Sequence, residues 1–243
     1  MLSTLPRHTK ILVVLLVLLP IYFLIAALGT KIGLLSWQFG LLTMTLAGGA
    51  LLLMLAAIVA VVSLIIALRA KPRRNVLVAV AAIGLLVPIV AGGVFASAAS
   101  KGAANPIHDI STDTGNPPAF SEATMAAREA AGANPLSDYN VPLGKIPFWQ
   151  DKGLSPELAV KSHAQIITDR KDRPAPLPLG GASKAEGVAA VAAAMGQMGL
   201  TDIRSDPATG MVEGTAQTFW FGFKDDVVAR VGDTQIDFRS VSR

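Results

Sequence analysis

The chain has 243 residues, 52% of them hydrophobic, and a mean hydropathy of +0.52, which excludes an ordinary soluble enzyme. Its net charge of +4 is unevenly spread: seven Lys or Arg and no acid precede residue 101, and fourteen Lys or Arg accompany all seventeen acids after it. The basic excess lies beside apolar runs, so anionic lipid headgroups rather than nucleic acid account for it, and the lack of cysteine removes disulfides, thiolate metal centres and a Cys nucleophile.

Residues 1–100 read as an all-α membrane domain. Ile11 to Leu28 is an uncharged run of eighteen residues, about 27 Å as a helix, close to the thickness of a hydrocarbon core. Phe39 to Leu68 and Val76 to Ala99 are uncharged for thirty and twenty-four residues, which predicts two more crossings. Arg7 and Lys10 precede the first run and RAKPRRN joins the second to the third, whereas the first connection holds only Lys31. The bias of Lys and Arg towards the cytoplasm then places the N-terminus inside and residues 101–243 outside a bacterial inner membrane. Trp37 and Phe39 suit an aromatic anchor at the outer interface. A cleavable signal peptide ending near Ala27-Leu28-Gly29 is the competing reading, and the length of the first run favours a retained anchor.

None of the three runs holds Asp, Glu, Lys, Arg or His, the groups that proton relays and ion paths use. Small residues cluster as Ala47-Gly48-Gly49-Ala50 and at Gly92-x-x-x-Ala96 and Gly93-x-x-x-Ser97, spacings that let helices approach one another, whether within the chain or on a partner.

Residues 101–182 are rich in proline and read as an irregular wrap with short helices over Ser121 to Ala131 and from Ser155-Pro156-Glu157. Such a stretch without a core of its own is either mobile or laid on a partner. Residues 183–243 are more regular. Ala185, Val188, Ala192, Met195 and Met198 form one helical face over Ser183 to Gly199. A turn at Asp206 to Gly210 and a hairpin at Val231 to Thr234 then separate strands. In the last strand Ile236 and Phe238 alternate with Asp237 and Arg239, which predicts one buried and one wet face. The expected fold is α+β: a helix packed on an antiparallel β meander, attached to three transmembrane helices.

Three strings, HDISTD with PPAF soon after, FGFKDDVVARV and DFRSVSR, occur in the order in which they resemble the bacterial domain of unknown function 1499 family, over about residues 105–243. The resemblance implies a domain boundary and no activity. In that family the last string is typically followed by a turn and a closing helix, whereas this sequence stops at Arg243. Either the end differs or a closing helix is missing, and in the second case the strand face carrying Ile236 and Phe238 is expected to be under-covered.

Candidate sites are few. His108, Asp109 and Asp113, joined by Asp225 and Asp226, could offer an imidazole and carboxylates to a divalent cation, although the spacing matches no established metal motif. Asp226 and Arg230 share one strand face, and Asp237, Arg239 and Arg243 another, which suggests a cross-strand ladder of acids and guanidiniums or an anion site for a phospholipid headgroup. Phe219, Trp220, Phe221 and Phe223 form the most apolar run outside the membrane, to be read as core, as a membrane-surface patch, or with Arg230, Arg239 and Arg243 as a hydrophobic-ligand pocket. No G-x-S-x-G motif or phosphate loop is present and no cofactor is expected. The leading expectation is a non-enzymatic binding or scaffold protein, an accessory subunit contacting the bilayer and other membrane subunits. A lipid or hydrophobic-ligand carrier comes second and a metal-dependent hydrolase third.

Overall fold

A computed structural model describes residues 5–104, 107–151 and 153–243. It divides into two compact units, Met1–Ala104 with Phe219–Gly222, and Asn105–Thr218 with Phe223–Arg243.

The first unit holds α1 (Arg7–Lys31), a π-helical turn series Gln38–Gly48 continuing into α2 (Gly49–Arg69), and α3 (Asn75–Ala104). All three helices are long and apolar enough to cross a membrane. Their contact stripes are narrow: Leu12, Ala60 and Ala81 meet at one level, and Leu19, Leu53 and Ala56 with Phe23 and Phe95 at another. Large side chains such as Ile25, Leu51 and Ile89 face outward, an arrangement suited to lipid. A π-helical stretch shifts carbonyls out of their usual register, and here side chains satisfy two of them. Tyr22 Oη donates to Met44 O at 3.0 Å and Thr45 Oγ1 to Gly40 O at 2.8 Å. A Cβ on Gly48 would strike Tyr22, and one on Gly49 would strike Phe23, so this small-residue cluster serves packing between the chain's own helices. Nothing lies within 4 Å of a Cβ built on Gly92 or Gly93.

The second unit is an antiparallel sheet in the order β1 (Asp109–Ser111), β6 (Gln235–Ser242), β5 (Lys224–Val231), β4 (Met211–Gln217) and β3 (Thr201–Asp206), with β2 (Leu177–Pro178) also on the outer edge of β6. The predicted meander is therefore present, and the HDISTD string contributes a further strand. On one face lies α8 (Lys184–Gln197), started by a capping box in which Ser183 Oγ accepts from Glu186 N and the Glu186 carboxylate accepts from Ser183 N. Val188, Val191 and Met195 pack on Val212, Ala229, Val231 and Ile236. Gly187 allows the close approach, since a Cβ there would sit 2.7 Å from Leu179 Cδ1 and 2.8 Å from Val231 Cγ1.

Three expectations need correction. The helix buries Gly187, Val188, Val191 and Met195, whereas Ala185 is exposed and Met198, the capping residue beyond the last turn, is 79% exposed. Ile236 and Phe238 are not under-covered, because α8 packs on them. The opposite face of β6 is not wet: Asp237 and Arg239 are buried beneath residues of the proline-rich stretch. That stretch carries α4 (Glu122–Ala130), α5 (Pro147–Gln150), α6 (Pro156–Ala159) and α7 (His163–Thr168). It also has a small core of its own, in which Leu143, Trp149 and Ile166 meet Ile107, Phe148 and Leu158.

Candidate functional site

The sheet face opposite α8 carries an ionic lattice, and strand alternation explains why. Asp109 and Ser111 of β1, Asp237, Arg239 and Val241 of β6, Asp226, Val228 and Arg230 of β5, and Glu213 and Thr215 of β4 all project to that side. Buried charges survive only when paired and hydrogen-bonded. Here the proline-rich stretch supplies the remaining partners.

At its centre Arg239 grips Asp109 with two bonds, Nε to Oδ1 at 2.9 Å and Nη2 to Oδ2 at 2.7 Å. Tyr139 Oη donates to Asp109 Oδ1 at 2.7 Å, and Ser137 N to Oδ2 at 2.9 Å. Burial alone would raise the Asp109 carboxyl, but Arg239 and these two donors outweigh it and hold the group below the ordinary aspartate range. Burial, reinforced by the Asp109 charge, pushes the Tyr139 phenol upward, so it stays a donor. Arg239 Nη1 also donates to Pro118 O at 3.3 Å.

A second node surrounds Asp226. Arg128, projecting from α4, donates Nη1 to its Oδ2 at 2.8 Å, and Arg243 donates Nη2 to Oδ1 at 2.7 Å. Thr215 Oγ1 adds a bond at 3.1 Å. Burial opposes ionisation here as well, and the two guanidiniums overcome it, so the Asp226 carboxyl lies below its ordinary range. Arg128 further donates to Asn134 O at 2.7 Å and Ser242 O at 3.1 Å, tying the stretch to the sheet's last strand. Phe120 lies 5.8 Å from the Arg128 guanidinium carbon and 5.9 Å from that of Arg239, bridging the two nodes.

At a third node Arg230 Nη2 reaches Asp113 Oδ2 at 2.9 Å and Asp237 Oδ2 at 3.3 Å. At a fourth, the Glu213 carboxylate accepts from Ser121 N, from Ser121 Oγ at 2.7 Å and from Thr124 Oγ1 at 2.6 Å.

The five residues considered for a metal are thus distributed among separate partners. Asp109 faces Arg239, Asp113 faces Arg230 and Asp226 faces two arginines, while His108 Nε2 donates to Pro135 O at 2.8 Å. Asp225, next to Asp226, projects to the other side of β5. Among the described residues no group of three His, Asp or Glu is arranged to hold a metal ion. Nor do the residues considered for a ligand pocket converge. Arg230 pairs across from Met211 and Asp237 at the far end of β5 from Phe223, and Arg239 and Arg243 are taken up by Asp109 and Asp226. The cross-strand ladder is present between β5 and the end of the chain as Arg230 with Asp237 and Asp226 with Arg243, and Arg239 extends it across β6 to Asp109 of β1.

Sequence reasoning missed Arg128, Tyr139, Ser137, Glu213 and the role of His163. Thr124 and Arg128 stand four apart on α4, one helical face, and that spacing in a segment otherwise rich in alanine was the available clue. His163 is fully buried, with Nε2 2.8 Å from Ser137 Oγ and Nδ1 without a hydrogen-bond partner among the described residues. Burial pushes its pKa down to about 4, so the ring is neutral at ordinary pH.

Beside the lattice, Pro117, Phe120, Arg204, Met211, Glu213 and Arg230 line an open groove of about 660 Å³. Its lower wall is edge strand β3, whose register with β4 shifts between Thr201 and Arg204, where Asp202 takes φ 54°. The groove combines apolar side chains with the guanidiniums of Arg204 and Arg230 and the carboxylates of Asp206 and Glu213, a surface that suits a peptide segment or an amphiphile.

A family model described as "Protein of unknown function (DUF1499)" matches residues 109–243. Comparison with curated proteins and with solved structures gives no match. The strings that carried the resemblance meet in the lattice: Asp109 comes from HDISTD, Pro118 and Phe120 from PPAF, Asp226 and Arg230 from FGFKDDVVARV, and Arg239 and Arg243 from DFRSVSR.

Proposed function

The chain belongs to the DUF1499 family of proteins of unknown function, and on that premise we propose that it is a membrane-anchored binding or scaffold protein, an accessory subunit of a membrane complex. In this reading the three N-terminal helices cross a bacterial inner membrane, the N-terminus is cytoplasmic, and residues 101–243 lie outside. The observation that supports it best is the combination of a rigid platform with an open groove. Carboxylates of the kind that could do acid-base work are held by guanidiniums in fixed pairs, which makes them structural, while the groove beside them stays accessible. Pro117, Phe120 and Met211 at the groove, with Arg204 on its β3 side, favour a partner segment that presents apolar residues beside a hydrogen-bond acceptor.

The test is solubilisation of the full chain from its native membranes in mild detergent, followed by native sizing. A stoichiometric partner is expected to comigrate and to be lost in Ala119→Arg, which fills the groove from an exposed position. A wild-type chain that runs as a free monomer refutes the reading. So does a partner retained undiminished by the filled groove, as far as the groove is concerned.

A further inference from the structure

We propose that the β4–β5 loop is an interfacial membrane anchor: Phe219 and Trp220 seat in the headgroup layer of the bilayer that the chain's own helices cross. This inference rests on the membrane anchor and not on the binding groove.

The loop is built as a firm tip. Thr218 N donates to Phe223 O at 2.8 Å and Phe223 N to Thr218 Oγ1 at 2.9 Å, closing its base, and Gly222 at φ 70° makes the return turn that a side chain would strain. On that tip Phe219 is 69% and Trp220 53% exposed, with the two rings packed edge to face at 5.0 Å. Two large adjacent aromatics exposed together form the kind of apolar patch that marks an interaction surface. Trp and other amphipathic rings are the side chains that favour the headgroup level of a bilayer. The segment Thr218 to Phe223 carries no charge, and the next residue is Lys224, a cation suited to phosphate.

Sheet register supplies the second argument. Asp109 pairs with Val241, Val241 with Asp226 and Asp226 with Thr215, so the start of β1 lies on a row two residues from Gln217 and Lys224, where the loop closes. The chain therefore enters the sheet at the same end that carries the aromatic tip. Asp109 follows the last residue of α3, Ala104, by five positions, so the covalent tether spans at most about 18 Å. Within the first unit, Lys31, the last residue of α1, has its Nζ 4.5 Å from the centre of the Phe219 ring. Lys31 is the only charge between the first two spans. The occupant that fits an uncharged aromatic tip beside such a cation, on a short tether, is the lipid interface.

The absence of native cysteine makes the test direct. Nitroxide labels are placed at Trp220→Cys and, separately, Phe219→Cys in the full chain reconstituted in phosphatidylcholine vesicles. Ala208→Cys, exposed in the turn at the opposite end of β4, serves as the aqueous reference. Collision with oxygen, which concentrates in lipid, should exceed collision with a water-soluble nickel chelate severalfold at both loop positions, with the reverse at 208. Loop labels as open to the chelate as the label at 208 overturn the proposal. Labels immobilised and shielded from both reagents also overturn it, because they report a protein partner on the loop.

Discussion

Arg128 of α4 and Asp226 of β5 meet at 2.8 Å with almost no exposure, although 98 residues separate them. The pair fastens the proline-rich stretch to the middle of the sheet. Arg128→Ala removes a cation from a buried carboxylate that keeps only Arg243, and should destabilise the full chain in detergent by about 3–5 kcal/mol. Lys161→Ala, which deletes solvent-screened pairs with Glu157 and Asp169, should cost far less. Thermal or denaturant unfolding followed by near-ultraviolet dichroism compares the two. Equal effects would mean that the buried pair does not hold the fold.

His163 gives the domain a defined acid response. Its folded pKa is depressed to about 4, against an ordinary value of 6.5, so between these the unfolded chain binds a proton that the folded chain does not. Stability then declines as pH falls through that window, by up to about 3 kcal/mol. His163→Gln keeps a hydrogen-bonding group for Ser137 without a titrating ring and should flatten the slope. Asp109 and Asp226 act at lower pH: their folded pKa values lie below the ordinary 3.8, so their contribution is present above it and fades as pH falls through the depressed values. Unfolding midpoints from about pH 7 to about pH 4.5 check the first window. An unchanged slope in the variant sinks the assignment to His163.

Two glycines of one helix should respond with opposite sign. Alanine is favoured over glycine in a helix by about 1 kcal/mol, but at Gly187 a methyl meets Leu179 and Val231 inside contact distance, and overpacking of this kind costs about 1–3 kcal/mol. Gly187→Ala should therefore destabilise. At Gly196 the nearest atom is Ile203 Cδ1 at 3.7 Å, ordinary contact, so Gly196→Ala should stabilise by up to about 1 kcal/mol. Unfolding midpoints of the two variants, measured side by side, check the opposite signs; stabilisation by both would mean that Gly187 is not what permits the helix–sheet approach.

The long apolar helices, the helix that became α8 and the antiparallel meander were legible because their signals are local: apolar runs, helical spacing through Val188 and Met195, and turns at Asp206–Gly210 and Val231–Thr234. The buried polar face was not. Asp237 and Arg239 alternating with Ile236 and Phe238 look identical whether the polar side meets water or a cover. Here the cover is supplied by Thr112 and Pro118, more than 110 positions earlier. For the same reason Asp109 and Asp113 looked like free carboxylates: their partners Arg239 and Arg230 are over a hundred residues away. The exposed side of α8 was misread at Ala185 and Met198 because a helix rich in alanine has weak facial contrast, and packing on the sheet decided it. The π-helical register of Gln38–Gly48 left no mark that periodicity could detect, since every residue around it is apolar or small.

The Asp109 and Arg239 pair tests whether the lattice acts as one unit. Asp109→Asn leaves a buried guanidinium without its anion, while Asn still accepts from Tyr139; Arg239→Met leaves a buried carboxylate without its cation. Each single change should cost about 3–5 kcal/mol. The double variant removes both charges together, and an unpaired buried charge is the main source of each penalty, so its loss should fall short of the summed singles by about 2 kcal/mol or more. Both residues are enclosed, with Asp109 fully buried, so solvent cannot take over the role of the missing partner. Denaturant unfolding of the four proteins in one detergent gives the coupling directly. Simple additivity would show that Asp109 and Arg239 are neighbours held by the surrounding packing, and would remove the ionic lattice as the reason these strings converge.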